Sequence, residues 1–293
     1  MTALVTPFLP DGQVDENALG RLVDKQIRGG ADALVVLGTT GEAVTLTEEE
    51  KRLVVQLIVE RNNHRLPLIL GMGGNNTAAV LNSLHEWETT LTGHFAAILS
   101  VCPYYNKPSQ EGLYQHFRLV AEASPVPVIL YNVPGRTGVN LLPETVVRLA
   151  NDCPQIAGIK EASGNIEQIR RLIQQCQPFL TDGRFVVISG DDGITAQLMD
   201  MGADGLISVA ANAFPEDFGS IVREHNHRLQ DKYAPMVEML FKEGNPAGIK
   251  TVLAQQGLIH NRLRLPLVAC SPALQQQIEK ELEILTRAYV RSF

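Results

Sequence analysis

The chain has 293 residues, a net charge of -7 at neutral pH and 45% hydrophobic residues with few aromatics. An acidic balance without blocks of one sign fits a globular chain and argues against nucleic acid or an anionic membrane as partner. Cys102, Cys153, Cys176 and Cys270 lie far apart, the opening residues form no leader and no apolar run reaches bilayer length, so a reduced, cytoplasmic protein is expected.

Short apolar, β-rich runs alternate with helical patterns along the first three quarters of the chain. Strands are predicted at 3–5, 33–37, 68–70, 96–100, 126–131, 156–160, 185–189 and 205–209. Asp15 is placed to cap the first helix. Thr47 and Glu50 have the spacing of a capping box for the second. Ile166, Ile169, Leu172 and Ile173 mark the apolar stripe of a later one. Asp191-Asp192 reads as a cap for the helix after the seventh strand, not as a catalytic pair. Eight βα units point to a closed (β/α)8 TIM barrel over residues 1–224, with an open doubly wound sheet as the other arrangement of the same alternation. From about residue 225 the strand signals stop. Helices are predicted at 224–243, 246–256 and 273–291, a C-terminal helical domain spanning 225–293.

In a barrel, chemistry gathers where strands end and the following loops begin. The second strand runs into Gly38-Thr39-Thr40-Gly41-Glu42, the fourth into Pro103-Tyr104-Tyr105-Asn106, the fifth into Tyr131-Asn132-Val133-Pro134-Gly135-Arg136-Thr137-Gly138, and the sixth ends on Lys160. Burial favours the neutral form of an amine, and a neutral amine adds to a ketone to form an imine. A lysine at a strand end can equally snorkel to water or pair with a neighbour such as Glu161. Tyr131 suits proton transfer, or a core aromatic with a bonded hydroxyl. Thr39 and Thr40 suit an anion, or an ordinary glycine-bounded turn. Arg136 suits a carboxylate, or a solvated surface. His225 and His227 lack the spacing of a helical metal site, and no nucleotide-binding glycine motif is present, so neither metal nor cofactor is expected.

Together, these four segments and Gly158-Ile159-Lys160-Glu161-Ala162 resemble the dihydrodipicolinate synthase family of Schiff-base pyruvate aldolases. The resemblance runs from Thr6-Pro7 to Asn245-Pro246 and Arg264-Leu265-Pro266. It implies a lyase of lysine and diaminopimelate biosynthesis that joins pyruvate, as an imine on Lys160, to aspartate semialdehyde. Tyr131, Thr39 and a Tyr105 donated by a neighbouring subunit would relay protons. Thr40 would hold the pyruvate carboxylate, Arg136 would meet that of the second substrate, and Gly190 and Ile207 would line the pocket. A homotetramer built as a dimer of dimers is the implied assembly. A sibling aldolase for sialic or keto-deoxy sugar acids shares the lysine and tyrosine, but Arg136 favours an acidic aldehyde. A non-catalytic pyruvate-binding homologue would have no chemical need for the whole set. Two departures stand out: the first strand is expected to be short, and the positions matching the lysine-feedback site of relatives hold Ala79, Glu48 and Lys51, which predicts weak or absent inhibition by lysine.

Overall fold

The structure is a computed structural model that describes residues 1–290, with side chains to residue 286. Its strands are β1 (Thr2–Ala3), β2 (Leu34–Val36), β3 (Leu68–Gly71), β4 (Ala97–Val101), β5 (Val128–Asn132), β6 (Ile156–Glu161), β7 (Val186–Ser189) and β8 (Gly205–Leu206). They lie in one sheet in the order β1 to β8, with helices between them, which is the (β/α)8 barrel and not the open doubly wound sheet. The chain divides into two compact units, Pro67–Ile207 and the pair of segments Met1–Leu66 and Ser208–Phe293.

The Pro67–Ile207 unit carries β3 to β8. Its strands pair in parallel with near-continuous burial, as expected of Val-, Ile- and Leu-rich strands covered on both faces. A register shift between Val128 and Ile129 precedes the pairs Tyr131–Lys160 and Asn132–Glu161. Gly158 is required by the next pairing, because a Cβ there would lie 2.7 Å from the Val186 carbonyl oxygen. Asp191 does not cap the helix Thr195–Asp200, which begins after Ile194. Its carboxylate instead accepts the Gly193 N–H at 2.8 Å, closing a turn, because the chain needs three more residues before helix starts.

The other unit carries β1, β2 and the C-terminal helices. Asp15 caps the helix Glu16–Arg28 through the Ala18 N–H, and Thr47 and Glu50 form the full capping box of Glu48–Asn62. β1 is short for a visible reason. The Asn212 side chain takes the Val5 N–H at 3.1 Å and donates to the Ala3 carbonyl at 2.8 Å, replacing the next sheet bonds. Ser208, just past β8, bridges to Thr2 in parallel. Helices follow at Pro215–Glu224, His227–Lys242, Ala247–Gln255 and Pro272–Val290. The predicted last helix reached residue 291, which lies outside the described residues.

Candidate active site

Lys160 and Glu161 are neighbours on β6, and strand alternation sends them to opposite faces. The pairing of Lys160 with Glu161 that the sequence allowed does not occur. Lys160 is nevertheless buried, at 5% exposure, so it is not a snorkelling surface side chain either. Its Nζ lies 4.6 Å from the ring centroid of Tyr131, its register partner on β5. Among the described residues no carboxylate stands within ion-pair distance of this amine. A buried amine with an aromatic neighbour and no acid is available for covalent chemistry.

Gly190 makes the room for it. A Cβ at Gly190 would sit 3.0 Å from Lys160 Cε and 2.6 Å from the Ala162 Cβ. The Gly190 N–H donates to the Glu161 carbonyl at 2.8 Å, which holds the backbone at this close approach. Ile207 is buried just past β8, with its N–H on the Ser189 carbonyl at 3.0 Å.

Arg136 lies on the single turn Pro134–Thr137, closed by Gly138 at φ 74°. Its side chain is exposed. The Tyr105 N–H donates to the Thr137 carbonyl at 3.1 Å, which ties the loop after β4 to the loop after β5. Asn75, in the loop after β3, joins them: its side chain donates to the Tyr104 carbonyl and its own carbonyl accepts from Asn106 Nδ2 at 2.9 Å. Tyr105 is 88% exposed and held at φ 76°, a conformation that costs a bulky residue about 1–3 kcal/mol.

Behind β5 and β6 lies a polar layer that residue-type reasoning missed. Glu161, 1% exposed, accepts from Asn132 Nδ2 at 2.9 Å and the Ser163 N–H at 2.6 Å, with Gln168 Nε2 at 3.4 Å. Burial pushes the Glu161 carboxyl up from its ordinary value while those donors pull it back. Buried Cys102 is pushed up as well, by desolvation and then by the Glu161 charge. The only sequence signal for this layer was an acid two residues past Gly-Ile in an apolar strand.

Thr39 and Thr40 belong to the other unit, on the turn Thr39–Gly41 after β2. Thr39 is exposed and Thr40 buried. Thr40 Oγ1 accepts from Asn245 Nδ2 at 3.0 Å, and the Gly41 carbonyl accepts from Thr6 Oγ1 at 2.8 Å. Glu42 follows in the left-handed region at φ 53° and forms an ion pair with Lys250, both wholly buried. Glu42 Oε2 also accepts the Arg264 N–H at 3.1 Å, and Lys250 Nζ donates to the Arg262 carbonyl at 3.0 Å. Lys250 is pushed down to about 8, chiefly by burial, against the pull of Glu42. Arg264 clasps Glu50 and the Gly12 carbonyl, and its donors hold the Glu50 carboxyl below its usual range. Asn245 and Lys250 lie far along the chain from the turn they hold, which is why spacing gave no hint of them.

A parallel (β/α)8 barrel with a buried amine near the end of one strand and a phenol near the end of its neighbour has the architecture of the barrel enzymes. The chain belongs to the dihydrodipicolinate synthetase family, whose model matches residues 1–285. A 4-hydroxy-tetrahydrodipicolinate synthase of Flavobacterium psychrophilum is 49% identical over 284 residues, covering 94% of each chain. Among solved structures, the chloride-inhibited dihydrodipicolinate synthase of Acinetobacter baumannii in complex with pyruvate is 41% identical with a TM-score of 0.89, covering 96% of each chain. A monomeric dihydrodipicolinate synthase variant is 40% identical with a TM-score of 0.90, covering 96% of this chain and 94% of its own.

Proposed function

We propose that this chain is a lyase that condenses pyruvate with L-aspartate 4-semialdehyde to give 4-hydroxy-tetrahydrodipicolinate, on the route to diaminopimelate and lysine. The observation that carries the reading is the buried Lys160 amine, set over Tyr131 with no carboxylate in ion-pair reach among the described residues. Lys160 Nζ adds to the ketone carbon of pyruvate, and loss of water leaves an imine. The imine withdraws electrons from the adjacent methyl group, so a proton departs and an enamine forms. The enamine carbon then bonds to the aldehyde carbon of the semialdehyde. Finally the semialdehyde's own amine attacks the imine carbon, closing the ring and returning the lysine.

Each addition and elimination moves a proton, and Tyr131, whose ring centroid lies 4.6 Å from Lys160 Nζ, supplies the phenol. Thr39 and Tyr105 share that relay, and Thr40 with the backbone of its turn receives the pyruvate carboxylate. Arg136 receives the carboxylate of the semialdehyde, which selects an acidic aldehyde over a polyhydroxylated one. Gly190 and Ile207 shape the wall around Lys160. The Acinetobacter relative's complex with pyruvate supports the first substrate.

The same proposal includes a cytoplasmic enzyme divided into a barrel over 1–224 and a helical domain over 225–293. No helix among the described residues is long and apolar enough to cross a membrane. The exposed, strained Tyr105 is offered to a second copy, in a tetramer of two dimers. Lysine has little effect, since Lys51 is already paired with Glu48 at 2.5 Å and Ala79 offers no charge. Borohydride reduction in the presence of pyruvate tests the central step: the protein mass should rise by the reduced pyruvate adduct, located on Lys160. A folded protein that gains no adduct would overturn the reading.

A further inference from the structure

The buried Glu161 carboxylate faces only donors. Asn132 Nδ2, the Ser163 N–H and Gln168 Nε2 all point at it. An ionised carboxylate accepts on both oxygens and donates on neither, so it dictates how the adjacent amides lie. With its Nδ2 turned to Glu161 and to Asn140 Oδ1 (2.8 Å), Asn132 must present Oδ1 on its other side. There it accepts the Leu141 N–H at 2.9 Å. Asn132 and Leu141 are the two ends of the loop that carries Arg136, and this one side chain ties them together. Asn140 and Gln168 complete the set, Asn140 Nδ2 donating to Gln168 Oε1 at 2.7 Å and Gln168 Nε2 returning to Asn140 Oδ1 at 3.1 Å. Through the Thr137 carbonyl the same loop holds the Tyr105 backbone.

We propose that Glu161 is a positioning residue for the second substrate: its acceptor-only carboxylate orients Asn132, Asn132 closes the 133–140 loop, and the closed loop presents Arg136. The inference rests on the role given to Arg136 above. It separates two neighbours on one strand, Lys160 acting on pyruvate and Glu161 acting through Arg136 on the semialdehyde. Glu161→Gln keeps the shape but puts an amide nitrogen against donors. Either two donors then oppose each other, or Asn132 turns over and releases Leu141.

The test is E161Q beside the reversed pair E161Q/N132D. In the double variant the carboxylate sits at position 132, where it accepts from the amide now at position 161 and still accepts the Leu141 N–H. The paired amides of Asn140 and Gln168 turn over together, Asn140 then donating to position 132 and Gln168 accepting from position 161. In E161Q, KM for aspartate semialdehyde should rise roughly tenfold, the effect of a buried polar group left without its partner. KM for pyruvate and borohydride-trapped adduct on Lys160 should stay near the parent values. E161Q/N132D should recover most of the loss. Equal rises in both KM values, unchanged semialdehyde KM, or a double variant no better than E161Q would each overturn the proposal. If E161Q alone does not fold, the double variant must fold with near-parent KM, and its failure to do so counts against the proposal in the same way. Trapping on the parent enzyme reads the imine chemistry separately, so a failed condensation reading and a failed positioning role give different results.

Discussion

The two units keep buried charge by different means. In the unit made from the chain's two ends, Glu42 and Lys250 are both wholly buried and neutralise each other, with Arg264 and Glu50 extending the set outward. In the Pro67–Ile207 unit the buried Glu161 carboxylate has no cation in ion-pair reach among the described residues and is held by neutral N–H donors. A pair of ions is robust until one partner is removed, because the survivor is then stranded in an apolar setting. A lone carboxylate among amides has less charge at stake, but it transmits direction, since each amide it touches must turn the same way. The first arrangement fixes the Thr39–Gly41 turn as a rigid piece. The second sets the geometry of a loop.

The largest effect should come from Lys250→Met, which strands Glu42: a loss of about 3–5 kcal/mol in urea unfolding is expected. The double change E42L/K250M should recover much of it, and a single variant costing under about 1 kcal/mol would show that the pair does not hold the unit. Next is acid sensitivity in the other unit. Burial pushes His116 down to about 4 from 6.5. Its Nδ1 meets Thr77 Oγ1 at 2.9 Å and its Nε2 is buried without a partner. Between those values the unfolded chain binds the extra proton, so stability falls as pH drops from 6.5 towards 4, by about 3 kcal/mol at most. His116→Gln should flatten that slope in a pH series of denaturation curves. Lys250 has the same sign in a separate window, with stability rising from pH 8 towards 10.5.

Glu161→Leu should cost about 2–3 kcal/mol, less than Lys250→Met, because it strands dipoles and not an ion. Gly190→Ala should cost about 1–3 kcal/mol by crowding, and should slow pyruvate adduct formation, since the new methyl meets Lys160 Cε. Intact trapping kinetics in that variant would mean the amine does not need this space. Smallest is Arg61→Gln, which breaks a surface pair with Asp24 and should leave the urea midpoint almost unmoved, since Arg61 is half exposed and Asp24 keeps Arg65 as a partner.

Much of this was readable from the chain. Eight strands fell close to where alternation and β-branched runs placed them, and the caps at Asp15 and Thr47 formed as their spacing implied. The motifs carrying Lys160 and Tyr131 were visible because each puts a polar residue near the end of an apolar strand, which a buried parallel sheet does not otherwise tolerate. Arg136 was visible in the Pro-Gly-Arg-Thr-Gly loop that follows Tyr131. The misreading of Asp191 as a helix cap came from proximity: an aspartate before a helix caps it only if the helix starts next to it, and this one starts later.

The sequence by itself determined the order of strands and helices and which side chains end each strand, since both follow from local periodicity. Only the tertiary structure decided that Lys160 faces Tyr131 while Glu161 faces Asn132, because register between strands is set by packing partners remote in the chain. It alone brought Asn245 to Thr40 and Lys250 to Glu42, contacts more than two hundred residues apart. Buried polar groups must find partners wherever the fold brings them, and no local pattern records which partner that is.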